Sequence, residues 1–224
     1  STTVAASQQA GINYTRINEK EADRVGLTVL ARSGFNPAAA SQFFGKLAEK
    51  YRYASKPPAM LLTHPLPESR ISDMRNRVER YGSKLLPASL DFELAKARIS
   101  ARYERDPESN IIIFKQQLEK QNYVLKQAAQ YGLAMSYFEA GKFNDAKRML
   151  SSLITDDRNN LFYADLMTDV HIKLEEFKAA ESMLSRLYRL MPNNQVVTLN
   201  YANAAMEGGN FDLALNLLQD FLIV

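Results

Sequence analysis

A 34-residue echo runs through the second half of this 224-residue chain. Phe143, Phe177 and Phe211 are spaced by 34 residues, as are Ala146, Ala180 and Ala214, and as are Leu150, Leu184 and Leu218. A constant period of this length is the mark of a helical hairpin stacked on copies of itself. No single hairpin can bury its own apolar face, so the units must form a solenoid. A solenoid offers an extended surface to another polypeptide. Docking is therefore expected in this half, and chemistry elsewhere.

The segments Gly141-Lys142-Phe143-Asn144-Asp145-Ala146, Glu175-Glu176-Phe177-Lys178-Ala179-Ala180 and Gly209-Asn210-Phe211-Asp212-Leu213-Ala214 align in phase. Each reads as a turn, an aromatic that opens a second helix, and a small residue that lets the two helices of a hairpin approach. Leu153, Leu187 and Phe221 extend the buried stripe. Pro192 stops one second helix, followed by Asn193-Asn194, with Arg158-Asn159-Asn160 in the equivalent place. Leu133, Ala134 and Tyr137 supply a large-small-aromatic set in a first helix. These segments resemble tetratricopeptide repeats over roughly residues 128–224. Departures are the absence of Trp, His171 at a usual Tyr position, and Thr168 where Gly or Ala is normal. Every repeat residue named here is expected to be packing. By position alone, Gln130, Tyr163 and Asn200 are candidates for the groove.

Composition narrows the rest. Apolar residues make up 46% and charged residues 24%, within the globular range. With no cysteine, thiolate metal sites and disulfides are excluded. A formal charge of +3 argues against nucleic acid as the partner. Upstream of the repeats the pattern is helical. Residues 1–17 read as a loop, and Asn18 as an N-cap with Glu21 as its capping-box partner. Ala22, Val25 and Val29 follow at helical spacing, with Gly34 as a stop. Asn36-Pro37 opens a helix striped by Phe43, Leu47 and Tyr51. Four prolines punctuate 52–67. Further helices are marked by Ile71, Met74, Val78 and Tyr81, by Phe92, Ala95, Ile99 and Tyr103, and by Ile111, Phe114 and Leu118. The fold expected is all-α. The division expected is 1–85, then connecting helices over 86–127, then about three repeats over 128–224, the last one truncated.

Glu19 and Asp23 stand at i and i+4, so both carboxylates share one helical face. Alone they read as a solvated acidic turn near a helix N-terminus. Their setting says more. Forty-one residues after Asp23 comes His64, within Leu62-Thr63-His64-Pro65, and Arg70-Ile71 follows. Between them lie Ala31-Arg32-Ser33-Gly34-Phe35-Asn36-Pro37 and Phe43-Phe44. In this order the elements resemble the C-terminal half of a zinc metalloprotease domain, of the family that includes the integral-membrane CAAX prenyl protease, a bacterial heat-shock protease and the mitochondrial Oma protease. That family's pattern is HExxH on one helix, Glu-x-x-x-Asp on a later one, then Thr-His-Pro…Arg. The last two elements stand here at residues 19–23 and 63–70, and the likeness covers roughly residues 1–82. The repeats that follow make the chain similar to the periplasmic branch of the family that serves outer-membrane β-barrel assembly in Gram-negative bacteria.

The resemblance implies a zinc endopeptidase. Glu19 would be the third zinc ligand of a His-His-Glu set. Asp23 would orient a ligand histidine. His64 would stand near the metal, holding the oxyanion or occupying the open coordination position, and Arg70 would add positive charge or buttress the loop. Clients would be unfolded or misassembled outer-membrane proteins, with the β-barrel assembly machinery as a partner through the repeats and a chaperone-like role beside cleavage. The chain would touch a membrane peripherally at most. It contains no HExxH, and His64 and His171 are its only histidines. It therefore reads as a portion of a longer enzyme. The competing expectation is a non-catalytic repeat adaptor in which Glu19, Asp23 and His64 are ordinary polar residues.

Overall fold

The computed structural model describes the backbone of residues 2–53, 68–82 and 86–223, and side chains within these except at 2–16, 220, 222 and 223. The described residues are helical throughout, without a strand. The chain divides into two compact units, Ser1–Pro87 and Ala88–Val224.

The first unit is built from α1 (Thr2–Arg32), α2 (Ala38–Tyr51) and α3 (Glu68–Val78), with a 3-10 turn over Glu79–Tyr81. The expected loop over 1–17 is instead the first half of α1. Its Ala, Gln and Ser residues tolerate helix, and no proline precedes Pro37. Asn18 is accordingly mid-helix rather than a cap, and Glu21 pairs with Arg24, whose Nε donates to Oε2 at 3.0 Å. Gly34, at φ +84°, ends α1, with the Phe35 N–H returning to the Leu30 carbonyl at 3.0 Å. Asn36 Oδ1 then accepts from the Ala38 N–H at 3.0 Å and starts α2. Helix α3 packs on both α1 and α2.

The faces differ from those the apolar spacing suggests. Among the described side chains of α1 the buried ones are Asp23 and Leu27, whereas Ala22, Val25 and Val29 are exposed. In α2, Phe43 is exposed. Leu27 of α1 and Ile71 and Met74 of α3 are buried apolar residues, and Asp23 and Arg70 are buried on the same two helices.

The second unit contains α4 (Leu90–Ile99), α5 (Pro107–Glu119), α6 (Lys126–Glu139), α7 (Phe143–Asp156), α8 (Leu161–Lys173), α9 (Phe177–Leu190), α10 (Gln195–Glu207) and α11 (Phe211–Ile223). Helices α6 to α11 pack as successive hairpins, α6 with α7, α8 with α9 and α10 with α11. Their first helices α8 and α10 are capped by Asn160 and Asn194, whose Oδ1 atoms accept from the N–H groups of Phe162 at 3.1 Å and Val197 at 3.2 Å. The turns inside the hairpins need a left-handed residue. Gly141 (φ +72°) and Gly209 (φ +78°) supply it, and Glu175 takes the same conformation at φ +58°.

Residues 86–127 do more than connect. Helices α4 and α5 form a further hairpin at the head of the array, and one core runs from Leu94, Ala97, Ala101, Ile111 and Phe114 into Tyr131, Ala134, Leu150, Leu153 and Leu166. The buried stripe of α4 and the π turn that continues it is Leu94, Ala97 and Ala101, not the expected Phe92, Ile99 and Tyr103, which are exposed. Two features explain why this hairpin does not announce itself at the 34-residue phase. Helix α4 runs on into a π turn over Ser100–Glu104, which shifts register. The carbonyls this frees are gathered by Asn110, whose Nδ2 donates to Ala101 O at 2.9 Å, Arg105 O at 3.1 Å and Ser100 O at 3.3 Å. Gly132 of α6 then lets the Phe114 ring lie so close that a Cβ there would be 2.4 Å from two ring carbons.

Candidate functional site

Helix α1 has 3.6 residues per turn, so Glu19, Asp23 and Leu27 follow one another down one face. Leu27 is buried on that face, and the packing of α1 on α3 brings the two carboxylates toward α3. Ile71 and Met74 are buried on α3, with Arg70 opposite the carboxylates. The result is a charge cluster that among the described residues includes Glu19, Asp23 and Arg70. Arg70 holds Asp23 with both edges of its guanidinium, Nε to Oδ2 at 2.8 Å and Nη2 to Oδ1 at 2.7 Å. The same Nη2 reaches Glu19 Oε2 at 2.9 Å. The Phe44 ring of α2 covers the guanidinium, its centroid 5.7 Å from Cζ. Thr28 Oγ1 and the Tyr81 hydroxyl, 3.0 Å apart, tie α1 to the turn after α3.

Burial is uneven. The side chains of Arg70 and Asp23 are each 7% exposed, while that of Glu19 is 16% exposed. Hydrogen bonding to Asp23, reinforced by the charges of Asp23 and Glu19, raises the Arg70 pKa above its ordinary value against the opposing effect of burial. The cation is permanent, and a bidentate guanidinium-carboxylate pair is the strongest fixed geometry available to these side chains.

The sequence-predicted residues Glu19, Asp23 and Arg70 are thus brought together, whereas His64 lies outside the described residues. Asp23, expected beside a histidine, has Arg70 as its partner here. Phe44 also belongs to the site, although a ring next to Phe43 in the sequence carries no sign of a cation 26 positions later. Glu19 offers a hard oxygen donor of the kind zinc accepts. Among the described residues no group of three His, Cys, Asp or Glu is placed to hold a metal. Glu19 therefore fits as one donor to a metal, and the described residues do not complete the set.

In the repeats, Tyr163 is fully buried and is core, not groove, with its hydroxyl pKa pushed up to about 12 by burial. Asn200 does face a partner across helices, donating from Nδ2 to Asp165 Oδ1 at 2.8 Å. His171 is buried, and its Nδ1 lies 2.7 Å from Glu176 Oε2, which also accepts from Lys147 Nζ at 2.6 Å. That triad joins two hairpins and has a packing role. No helix among the described residues is long and apolar enough to cross a membrane.

Comparison with known proteins agrees with this division of labour. Residues 1–78 match the model of peptidase family M48. Residues 128–160 and 171–222 match tetratricopeptide repeat models. Over 220 residues the chain is 44% identical to a putative beta-barrel assembly-enhancing protease of Vibrio cholerae serotype O1, covering 98% of this chain and 46% of that protein. Over 219 residues it is 39% identical to the beta-barrel assembly-enhancing proteases of Escherichia coli (strain K12) and Yersinia pestis, covering 98% of this chain and 45% of each. The chain spans about half the length of these relatives.

Proposed function

From an M48 peptidase segment at residues 1–78 joined to tetratricopeptide repeats, we propose that this chain is part of a zinc metalloendopeptidase of Gram-negative bacteria that works in the periplasm on outer-membrane β-barrel proteins. The observation that carries the reading is Arg70 clamped between Glu19 and Asp23 inside the peptidase segment. The relatives' shared description supplies the client class. The repeats would dock unfolded or misassembled barrels, or the assembly machinery that handles them. They would raise the local concentration of client at the peptidase and support a chaperone-like role without cleavage.

Each residue has a task in this reading. Glu19 is one ligand to zinc, the other protein ligands being outside the described residues. A zinc ion in such a site polarises the scissile carbonyl and lowers the pKa of its bound water. Arg70 Nη2 holds Glu19 by Oε2, which helps to fix the carboxylate's orientation. Asp23 occupies both edges of the same guanidinium. Glu19 is therefore oriented without having to satisfy that cation alone. Phe44 shields the clamp from water on its open face. His64 belongs, in this reading, at the edge of the metal site.

The test is made on the full-length natural protein. Wild type should contain zinc by elemental analysis, in about a one-to-one ratio, and should cleave a denatured β-barrel outer-membrane protein in a chelator-sensitive manner. Glu19→Gln should lose the metal and the cleavage while the repeats stay folded. Arg70→Lys should weaken metal binding by about 10- to 100-fold, as loss of a partner that orients a ligand does. Zinc-free wild type, or full cleavage by Glu19→Gln, would overturn the assignment.

A further inference from the structure

Helix α2 has two opposite faces. Inward it turns the buried Ser41, the Phe44 ring that covers Arg70, and Gly45, where a Cβ would stand 3.6 Å from Arg75 Nη2. On the other side Ala39, Phe43, Lys46 and Lys50 follow at intervals of four, three and four residues. At 3.6 residues per turn these intervals keep one stripe. Tyr53, in the turn that ends the helix, continues it after three more residues. Every member is exposed, Phe43 by 57% and Tyr53 by 91%. Two aromatic rings thus bracket two lysines on the side of α2 that faces away from its packing contacts.

Neither lysine has a carboxylate partner among the described residues, and Lys50 leans on the Tyr51 ring, its Nζ 5.8 Å from the centroid. The wider charge distribution agrees. Residues 1–87 carry 13 Lys and Arg against 7 Asp and Glu, whereas residues 88–224 carry 15 against 18. The positive charge of the chain is gathered in the first unit. Single exposed apolar side chains are ordinary, but rings aligned with cations on one helical stripe make a surface of defined chemistry. An acidic protein would match the lysines and leave the rings in water. An anionic lipid surface matches both. Rings settle at the headgroup level, and ammonium groups on apolar stems reach the phosphates.

We propose that the outer face of α2 docks on an anionic phospholipid surface, with Lys46 and Lys50 on the phosphates and Phe43 and Tyr53 set among the headgroups. The helix has 14 residues, too few to span a bilayer, so it lies along the surface. Phe44, on the inner face, stays over Arg70. Lipid contact and the Glu19 site therefore use opposite sides of one helix and do not compete. This inference goes beyond the peptidase reading and depends on neither zinc nor cleavage.

The experiment uses the full-length natural protein and two kinds of vesicle, phosphatidylglycerol mixed with phosphatidylcholine and phosphatidylcholine alone. The bound fraction is read by flotation across a lipid titration. Wild type should float with the anionic vesicles and not with phosphatidylcholine, and should release as salt rises. Lys46→Gln/Lys50→Gln should weaken binding about 30-fold, the loss of two lysines at an anionic surface. Tyr53→Ala should weaken it about 3- to 10-fold, as loss of an interfacial ring does. Both variants should keep the wild-type melting temperature, because the side chains they alter are exposed. Lys120→Gln/Lys126→Gln makes the same charge change at exposed positions of the second unit and should leave binding within about twofold of wild type. Wild type that floats with neither vesicle, or equally with both, overturns the proposal. So does a Lys120 and Lys126 pair as damaging as the α2 pair. Zinc content and cleavage are separate readouts, so this proposal and the peptidase reading fail separately.

Discussion

Replacing Arg70 with methionine tests whether the charge cluster, and not apolar contact, holds α1 against α3. Methionine keeps the length of the stem and its contact with Phe44 but leaves Asp23 without its guanidinium at a side chain only 7% exposed. Two bonds at 2.8 and 2.7 Å to Asp23 are lost, and one at 2.9 Å to Glu19. Removing one partner of a buried pair costs about 3–5 kcal/mol. Fully burying a side chain such as Leu27 or Met74 stabilises by about 1.5–3 kcal/mol, so the cluster outweighs either one. Native-state hydrogen exchange reads the loss locally. At about 1.4 kcal/mol per factor of ten, amides of α1 and α3 should exchange roughly 100- to 1,000-fold faster or more. Amides of α6 to α9, in the other unit, serve as the internal control and should not change. The double variant Arg70→Met/Asp23→Leu removes both charges of the main pair and should recover much of the protection, because an apolar pair often replaces an ion pair without loss. Exchange in α1 and α3 of the single variant within about threefold of wild type, or a double variant worse than the sum of its parts, would refute the reasoning.

Three further outcomes are expected. Glu175→Gly should stabilise the array by about 0.5–1 kcal/mol in urea denaturation, since Glu175 holds the left-handed conformation that glycine fills in the two sibling turns. Gly132→Ala should destabilise it by about 1–3 kcal/mol, because the new Cβ would meet the Phe114 ring at 2.4 Å and the overpacking exceeds the helix propensity alanine adds. The Glu176 carboxyl is held below its ordinary 4.5 by Lys147 first and then by His171. A depressed carboxyl contributes stability that is present above 4.5 and lost as pH falls through its lower folded value. Wild type should therefore lose stability more steeply below about pH 4.5 than Glu176→Gln does, as read by thermal melts across pH.

The repeat phase was legible because identical units impose identical burial. Ala146 and Ala180, and Leu150 and Leu184, are buried as the 34-residue period requires, and the turn residues fall at 141, 175 and 209. The hairpin of α4 and α5 escaped that reading because its π turn breaks the phase and Asn110, a polar residue, does the local work of closing it. In the first unit the spacing of Glu19 and Asp23 was readable, since helical geometry alone puts i and i+4 on one side. Which side of α1 turns inward was not. Val25 and Val29 are the better apolar candidates by composition, yet the structure exposes them and buries Asp23. Periodicity specifies a stripe only up to the choice of partner, and here the partner is a cation 47 residues away. The sequence by itself determined the all-α class, the repeat length and the pairing of two carboxylates on one helix, because these depend on neighbours along the chain. The capture of both carboxylates by Arg70 and the Phe44 cover were decided only by tertiary structure. They depend on which distant side chains the burial of Leu27 and Ile71 happens to bring alongside.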